Sequence, residues 1–453
     1  MSGVKSNWII ALFFTICYWA IFPKAFLISD EWGYTGRALA MLSGDKSLIF
    51  NDLETGFQQD VLARLSYPLG TSYLAALVIF VGGKKMCFLV GFFSLLFSQL
   101  LMSKMVLKLS GSSVVTLLTW CCVPCLVVSR TVMSDTPALL LSALFFYYYF
   151  NDWKTIKYYC LLGFIGGLSF LFRENLIVLV AFFLLKSFYD GNLKQRLCLI
   201  LGFSLGIGIR LLSAYYFYND PLYYKLMMPF GARFFTPNGL FYGISLITVF
   251  PLAAFVVIAY RGKEQGVLKL TVLANFLFFS FYAYTGSISG FLRSIILANR
   301  FLIPLLPLFM VAYAAYWQKI SISSQRIIHK ILFVFSFPIV LIIQIVTHYF
   351  EQQNSGVIDC TKNSPTLIIS SNITHAKYIN AITSDSRLIS REACENNPKI
   401  IQRVISEQGY CDLFELDRKL HIDSTRLKQL FKQEEICSFS TSDGFTGRVI
   451  RLK

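Results

Sequence analysis

The chain has 453 residues, of which 55% are hydrophobic, 16% aromatic and only 15% charged, against about 25% charged in soluble proteins. With a mean hydropathy of +0.59, this composition excludes an ordinary soluble domain and indicates a polytopic membrane protein. The formal net charge is +16, but no basic helix or aromatic-basic platform accompanies it, which argues against a nucleic-acid partner.

Apolar segments recur at residues 8–28, 68–81, 86–103, 114–128, 137–150, 158–172, 176–185, 197–217, 240–259, 268–284, 301–317 and 331–350. About 20 residues are needed to cross the hydrocarbon. Backbone groups in lipid must pair within the segment, and these runs lack strand alternation, so helices are predicted. Segment 8–28 lacks an A-x-A-like cleavage site and reads as an uncleaved anchor with a short cytoplasmic start. After it, residues 31–42 suit a helix lying in the interface, with Trp32, Leu39 and Leu42 on one side.

Two topologies fit, each with eleven crossings. In the first, 68–81 crosses and 158–185 is one long helix containing Arg173 and Glu174. In the second, 68–81 lies at the interface and 158–185 breaks at Arg173-Glu174-Asn175 into two crossings. The second gathers Lys104, Lys108, Lys154 and Lys157 on the same side as the remaining loop cations, as the positive-inside rule requires. It also spares Arg173 and Glu174 from the middle of the bilayer. It puts Asp30, Glu31, Arg130, Asp135, Arg173, Glu174, Arg293 and Arg300 at the outer face, with a long first outer loop over 29–81. The tail then lies opposite the N-terminus.

Residues 1–350 thus form a predicted membrane domain and 351–453 a small α/β domain. The tail carries 14 basic and 13 acidic residues, so nearly all the positive excess belongs to the membrane part. Strands are predicted at 366–371 and 448–452, and helices at 399–408, opened by Pro398, and 424–435, capped by Ser424. Of eleven cysteines, seven lie in or beside apolar spans and act as small hydrophobes. Cys360, Cys394, Cys411 and Cys437 lie in the tail without a C-x-x-C pair, so two disulfides are expected there in an oxidising compartment, with three connectivities open. The four histidines, at 329, 348, 375 and 421, do not pair at i,i+4, and no zinc site is expected.

Four constellations carry candidate chemistry. Asp30-Glu31 opens the first outer loop; a helix cap and a catalytic carboxylate are both compatible with that position. In Ser129-Arg130-Thr131-Val132-Met133-Ser134-Asp135-Thr136-Pro137, Asp135 stands before a helix beginning at Pro137, an N-cap position, with Arg130 in the same loop. Leu171-Phe172-Arg173-Glu174-Asn175 offers either a local salt bridge or an arginine that binds phosphate. In Asn299-Arg300-Phe301-Leu302-Ile303-Pro304-Leu305-Leu306-Pro307, the prolines suit a kink and Arg300 an interfacial anchor or an anion ligand.

In their order and spacing these motifs resemble the GT-C superfamily of membrane glycosyltransferases, in the branch of protein O-mannosyltransferases and aminoarabinose transferases. Asp30-Glu31-Trp32-Gly33-Tyr34 is similar to its opening acid pair, and Tyr67-Pro68-Leu69 to a proline-leucine pair. Gly167-Leu168-Ser169-Phe170-Leu171-Phe172-Arg173 is similar to a GLxxLxR segment, and Arg300 to Pro307 to an R-[FY]-x-x-P-x-x-P segment. The family often has two prolines where this chain has Tyr67-Pro68. The resemblance implies an α-helical GT-C-like fold with about eleven crossings in a bacterial inner membrane. It implies a polyprenyl-phosphate-linked sugar as donor and a glycan, lipid or protein acceptor, with inversion at the anomeric carbon. Asp30 would be the general base, beside Glu31 and Asp135, and Arg173, Arg300 and Arg130 would hold the donor phosphate. Metal is unnecessary in principle, though Asp30, Glu31 and Asp135 could hold a divalent cation if they converge. A transporter or flippase for lipid-linked sugars is the alternative, but inverted repeats and intramembrane carboxylates are not found.

Overall fold

The structure is a computed structural model, and it describes residues 3–27, 31–43, 69–151, 155–173, 175–218, 221, 238–281, 299–361, 363–369, 387–417, 430–440 and 446–453. It is mostly helical, with one five-stranded sheet near the C-terminus. Asp30, Glu174 and Arg293, and most of the first outer loop, lie outside the described residues. Its contacts divide it into two units: Met1–Ile21, Pro68–Thr71 and Val90–Ile345, and Phe22–Tyr67, Ser72–Leu89 and Val346–Lys453.

In the first unit, helix Gly3–Ala20 lies beside helix Ile322–Thr361. Ser6 Oγ and His329 Nε2 share a hydrogen bond at 2.8 Å, and seven residues on Phe13 meets Phe337 edge to face at 5.0 Å. The two helices therefore run in the same direction. The first ends at Ala20, short of the expected residue 28, because Pro23 disfavours helical backbone in the residue before it. Asn7 donates to the carbonyls of Gly3 and Ser113, and Gln99 Nε2 donates to Asn7 Oδ1 and to the Thr116 carbonyl. This polar chain ties helix Gly3–Ala20 to helix Leu89–Ser110 and to the 3-10 turns Val114–Cys121.

Several predicted spans are broken, two of them near a proline. Residues 114–128 are not one helix: the 3-10 turns end at Cys121, and a short α-helix, Val123–Val128, restarts with Pro124 in its first turn. Residues 240–259 are two helices, Gly239–Thr248 and Ala253–Ala259, bent by 84°. Pro251 sits in the break, Leu252 takes a left-handed φ of 56°, and Tyr313 donates its hydroxyl to the Pro251 carbonyl. Residues 158–185 also break, as the second topology expects: helix Ile156–Phe172 ends at Arg173 and helix Leu176–Asp190 follows. Among the described residues four helices are long and apolar enough to cross a membrane, or five counting the bent pair as one. Three shorter apolar helices, Leu69–Gly82, Ile156–Phe172 and Gln265–Phe281, accompany them.

Helix Ile156–Phe172 packs backbone to backbone on helix Leu193–Tyr218. A Cβ added at Gly163 would stand 2.1 Å from the Leu199 carbonyl oxygen, at Gly167 2.2 Å from that of Phe203, and at Gly202 2.0 Å from that of Cys160. Small residues four apart on both helices allow this approach, a common device where lipid offers no hydrophobic drive to associate.

In the second unit, helix Glu31–Ser43 forms where an interfacial helix is expected. Its buried residues include Tyr34, Thr35, Arg37 and Ala38, while Leu42 in the last turn is exposed. Helix Ile322–Thr361 continues past residue 350 without a break. The sheet that follows has the order β2-β1-β3-β5-β4, with β1 Thr366–Ile369, β2 Arg387–Ser390, β3 Cys411–Asp417, β4 Gln433–Ser440 and β5 Thr446–Leu452. β1 is parallel to β2 and β3, whereas β5 is antiparallel to β3 and β4. Helix Lys399–Gln408 begins after Pro398, as predicted, ends on Gly409 at φ 82°, and buries Ile401 and Val404 with Ile368, Leu413 and Ile450.

Two expectations for this region are overturned. Gln433, Glu434 and Glu435 open strand β4 rather than ending a helix over 424–435, because the antiparallel ladder with β5 fixes their backbone; residues 424–429 lie outside the described residues. Only one disulfide joins the four tail cysteines, Cys360–Cys437. Cys394 and Cys411 are thiols buried in the domain core, where they pack as small hydrophobes.

Candidate active site

The first unit brings together three of the sequence-predicted residues. Asp135 is the first residue of helix Asp135–Phe150. The helix starts two residues before Pro137, with Ser134 at its cap, so Asp135 stands in the first turn rather than capping it. A carboxylate there is favoured by the helix dipole. Arg173 follows helix Ile156–Phe172 in an extended conformation, φ −166° and ψ 122°, its amide bonded to the Ser169 carbonyl at 2.9 Å. Arg300 lies in the 3-10 segment Asn299–Leu305, which gives way to helix Leu306–Trp317. Pro304 cannot donate to an α ladder, and Ser142 Oγ instead bonds its carbonyl at 2.6 Å, tying the segment to helix Asp135–Phe150.

Arg173 donates from Nη1 to Asp135 Oδ1, and Arg300 Nε stands 3.9 Å from Asp135 Oδ2. Both guanidinium groups also lie over the Phe301 ring, at 4.8 Å for Arg173 and 5.4 Å for Arg300. All three charged residues are buried, Asp135 at 1% exposure, Arg300 at 6% and Arg173 at 9%. Among the described residues Asp135 Oδ2 receives no hydrogen bond. Two cations therefore meet one carboxylate and one aromatic face in a low-dielectric setting, where charge-assisted bonds are strong and misplacement is costly.

Arg130 is held differently. It donates to Gln344 Oε1 at 2.7 Å and to the Ile21 carbonyl at 2.6 Å, and lies over the Tyr18 ring at 5.5 Å. It is 1% exposed, and these bonds join the chain just after helix Gly3–Ala20 to the middle of helix Ile322–Thr361. Glu31, in the second unit, is fully buried and accepts the Leu27 amide at 2.8 Å.

Phe301 was not singled out in the sequence, yet it is the ring both arginines share; its place beside Arg300 in an arginine-aromatic pair was the available signal. Gln344, the partner of Arg130, carried none, being one polar residue in a long apolar run. No group of three or more His, Cys, Asp or Glu side chains converges on a possible metal position among the described residues. Asp135, flanked by two guanidinium groups, is a poor ligand for a divalent cation.

No family model matches the chain, and no curated protein sequence matches it. Among solved structures it is similar to the crystal structure of ArnT from Cupriavidus metallidurans in the apo state. The two share 11% identity and a TM-score of 0.63, over 98% of each chain. The likeness shows the fold: this chain shares the overall architecture of that structure.

Proposed function

We propose that the chain is a membrane glycosyltransferase that moves a sugar from a polyprenyl-phosphate donor to an acceptor at the outer face of the membrane. The observation that carries this reading is the buried meeting of Arg173 and Arg300 on Asp135 within a GT-C fold. Its members come from positions 135, 173 and 300, and no local salt-bridge pattern requires them to converge. A paired guanidinium site suits a phosphate, and a lipid-linked donor presents its phosphate at the membrane.

In this mechanism the acceptor hydroxyl or amine attacks the anomeric carbon. The bond from that carbon to the phosphate oxygen breaks, and its electron pair leaves with the lipid phosphate, so the configuration inverts. Asp30 takes the acceptor proton, and its neighbour Glu31 accepts the Leu27 amide. Arg173 and Arg300 stabilise the growing phosphate charge. Asp135 is a positioning residue that holds Arg173 in place. Arg130 serves as a brace between helices Gly3–Ala20 and Ile322–Thr361. No step is routed through a metal ion.

The parallel run of helices Gly3–Ala20 and Ile322–Thr361 supports an odd number of crossings, with the tail on the side opposite the N-terminus. The Cys360–Cys437 disulfide fits an extracytoplasmic tail, since such bonds persist in oxidising compartments. Mass spectrometry of cell-envelope glycans with and without the gene tests the proposal. Loss of one sugar modification, restored by the wild type but not by Asp30→Asn at matched protein level, is the expected result. Unchanged glycans in the deletion, or full rescue by Asp30→Asn, would refute it.

A further inference from the structure

At the starts of helices Gly3–Ala20 and Ile322–Thr361 lies a half-open groove of about 440 Å³, lined by Ser6, Arg326, His329, Lys330 and Phe333. Ser6 is 1% exposed, and its hydrogen bond to His329 holds the two helices at this point. Arg326 and Lys330 are one turn apart, so they present their charges on one face. Neither pairs with an acid among the described residues. The sequence holds no Asp or Glu over residues 1–29 or 318–350, so the first acid after these cations on helix Ile322–Thr361 is Glu351, 21 residues beyond Lys330.

The same two helices carry strongly exposed apolar residues just beyond the groove: Trp8 at 59%, Leu12 at 61%, Val334 at 61% and Phe335 at 57%. A soluble anion has no use for such neighbours. An amphiphile with a phosphate at the charged end and acyl chains along the helices matches both features. Basic pockets between membrane helices on the side rich in loop cations suit anionic headgroups.

We propose that this groove binds the phosphate of an anionic phospholipid headgroup. Arg326 and Lys330 supply the charge, and the Ser6–His329 pair fixes the floor. The site is separate from the Asp135 cluster and does not depend on the sugar-transfer reading.

The test uses the purified full chain in detergent with a fluorescent phosphatidylglycerol as probe. Removing two cations near an anionic lipid, as in the double variant Arg326→Gln, Lys330→Gln, is expected to weaken binding about 30-fold. The control Lys104→Gln, Lys269→Gln removes the same charge elsewhere on the predicted cytoplasmic side and is expected to leave affinity unchanged. Phosphatidylcholine is expected not to compete. Equal loss in both double variants would mean diffuse attraction and overturn the proposal. So would displacement of the probe by inorganic phosphate as effectively as by unlabelled phosphatidylglycerol. Should the groove variant fail to fold, a photoreactive phosphatidylglycerol applied to the wild type is expected to label the peptide over 326–333; labelling only elsewhere would overturn the site.

Discussion

The Asp135–Arg173 pair gives the sharpest single perturbation. Asp135→Asn preserves shape and removes the charge that orients Arg173. Both residues are at least nine-tenths buried, so the bond lost is a desolvated, charge-assisted one, worth about 1.5–3 kcal/mol. If that orientation serves donor binding, the lipid-linked donor should bind about 10- to 150-fold more weakly, since about 1.4 kcal/mol is tenfold. Arg173→Gln alone should cost at least as much, and the double variant little more than Arg173→Gln. The assay is a double-mutant cycle on donor affinity in detergent, with thermal melts to confirm that each variant folds. Contacting residues deviate from additivity by about 0.5–3 kcal/mol. Effects that simply add would show that Asp135 does not act through Arg173, and the positioning role would fall.

Other perturbations address the frame around the site. Gly202→Ala puts a Cβ 2.0 Å from a carbonyl oxygen, whereas nothing stands within 4 Å of a Cβ at Gly208; overpacking of this kind costs about 1–3 kcal/mol. Melting in detergent should drop for the first variant and hold for Gly208→Ala, and equal behaviour would refute the close helix crossing. Arg130→Met should lower the melting temperature while leaving donor affinity nearly unchanged, and the reverse pattern would return Arg130 to the donor site. Burial, with the charge of Glu395 second, pushes the Cys394 thiol from 9.0 up to about 12. The unfolded chain ionises this thiol near its ordinary value and the folded domain only near the raised one. The stability it contributes is therefore whole below about pH 9 and lost as pH rises toward about 12. The melting advantage of wild type over Cys394→Ala should shrink between about pH 8 and about pH 10.5, and a constant difference would contradict the buried neutral thiol.

How far the sequence was legible follows from how local each determinant is. Helix Lys399–Gln408 could be read because a proline start, a glycine stop and two buried positions all lie within a dozen residues. The break at Arg173 was legible because two charges interrupt an apolar run. The bend at Pro251 was passed over, since hydropathy averages across a single proline while the backbone does not. Strand β4 was hidden because Gln433-Glu434-Glu435 has no strand preference and takes its conformation from pairing with β5. The convergence of Asp135, Arg173 and Arg300 could be anticipated only from motif order, because three helix ends must pack before the side chains meet. Arg130 looked like part of the same loop chemistry, but its partners Ile21 and Gln344 are more than a hundred residues away.

The central claim is that Arg173 and Arg300 form a lipid-phosphate site, and it can be measured without knowing the sugar or the acceptor. Binding of a polyprenyl phosphate to the purified chain should greatly exceed that of the uncharged polyprenol. Arg173→Gln combined with Arg300→Gln should reduce it at least about tenfold, as the loss of charge-assisted phosphate bonds requires. Equal binding of polyprenol and polyprenyl phosphate, or full affinity in the double variant, would contradict the account.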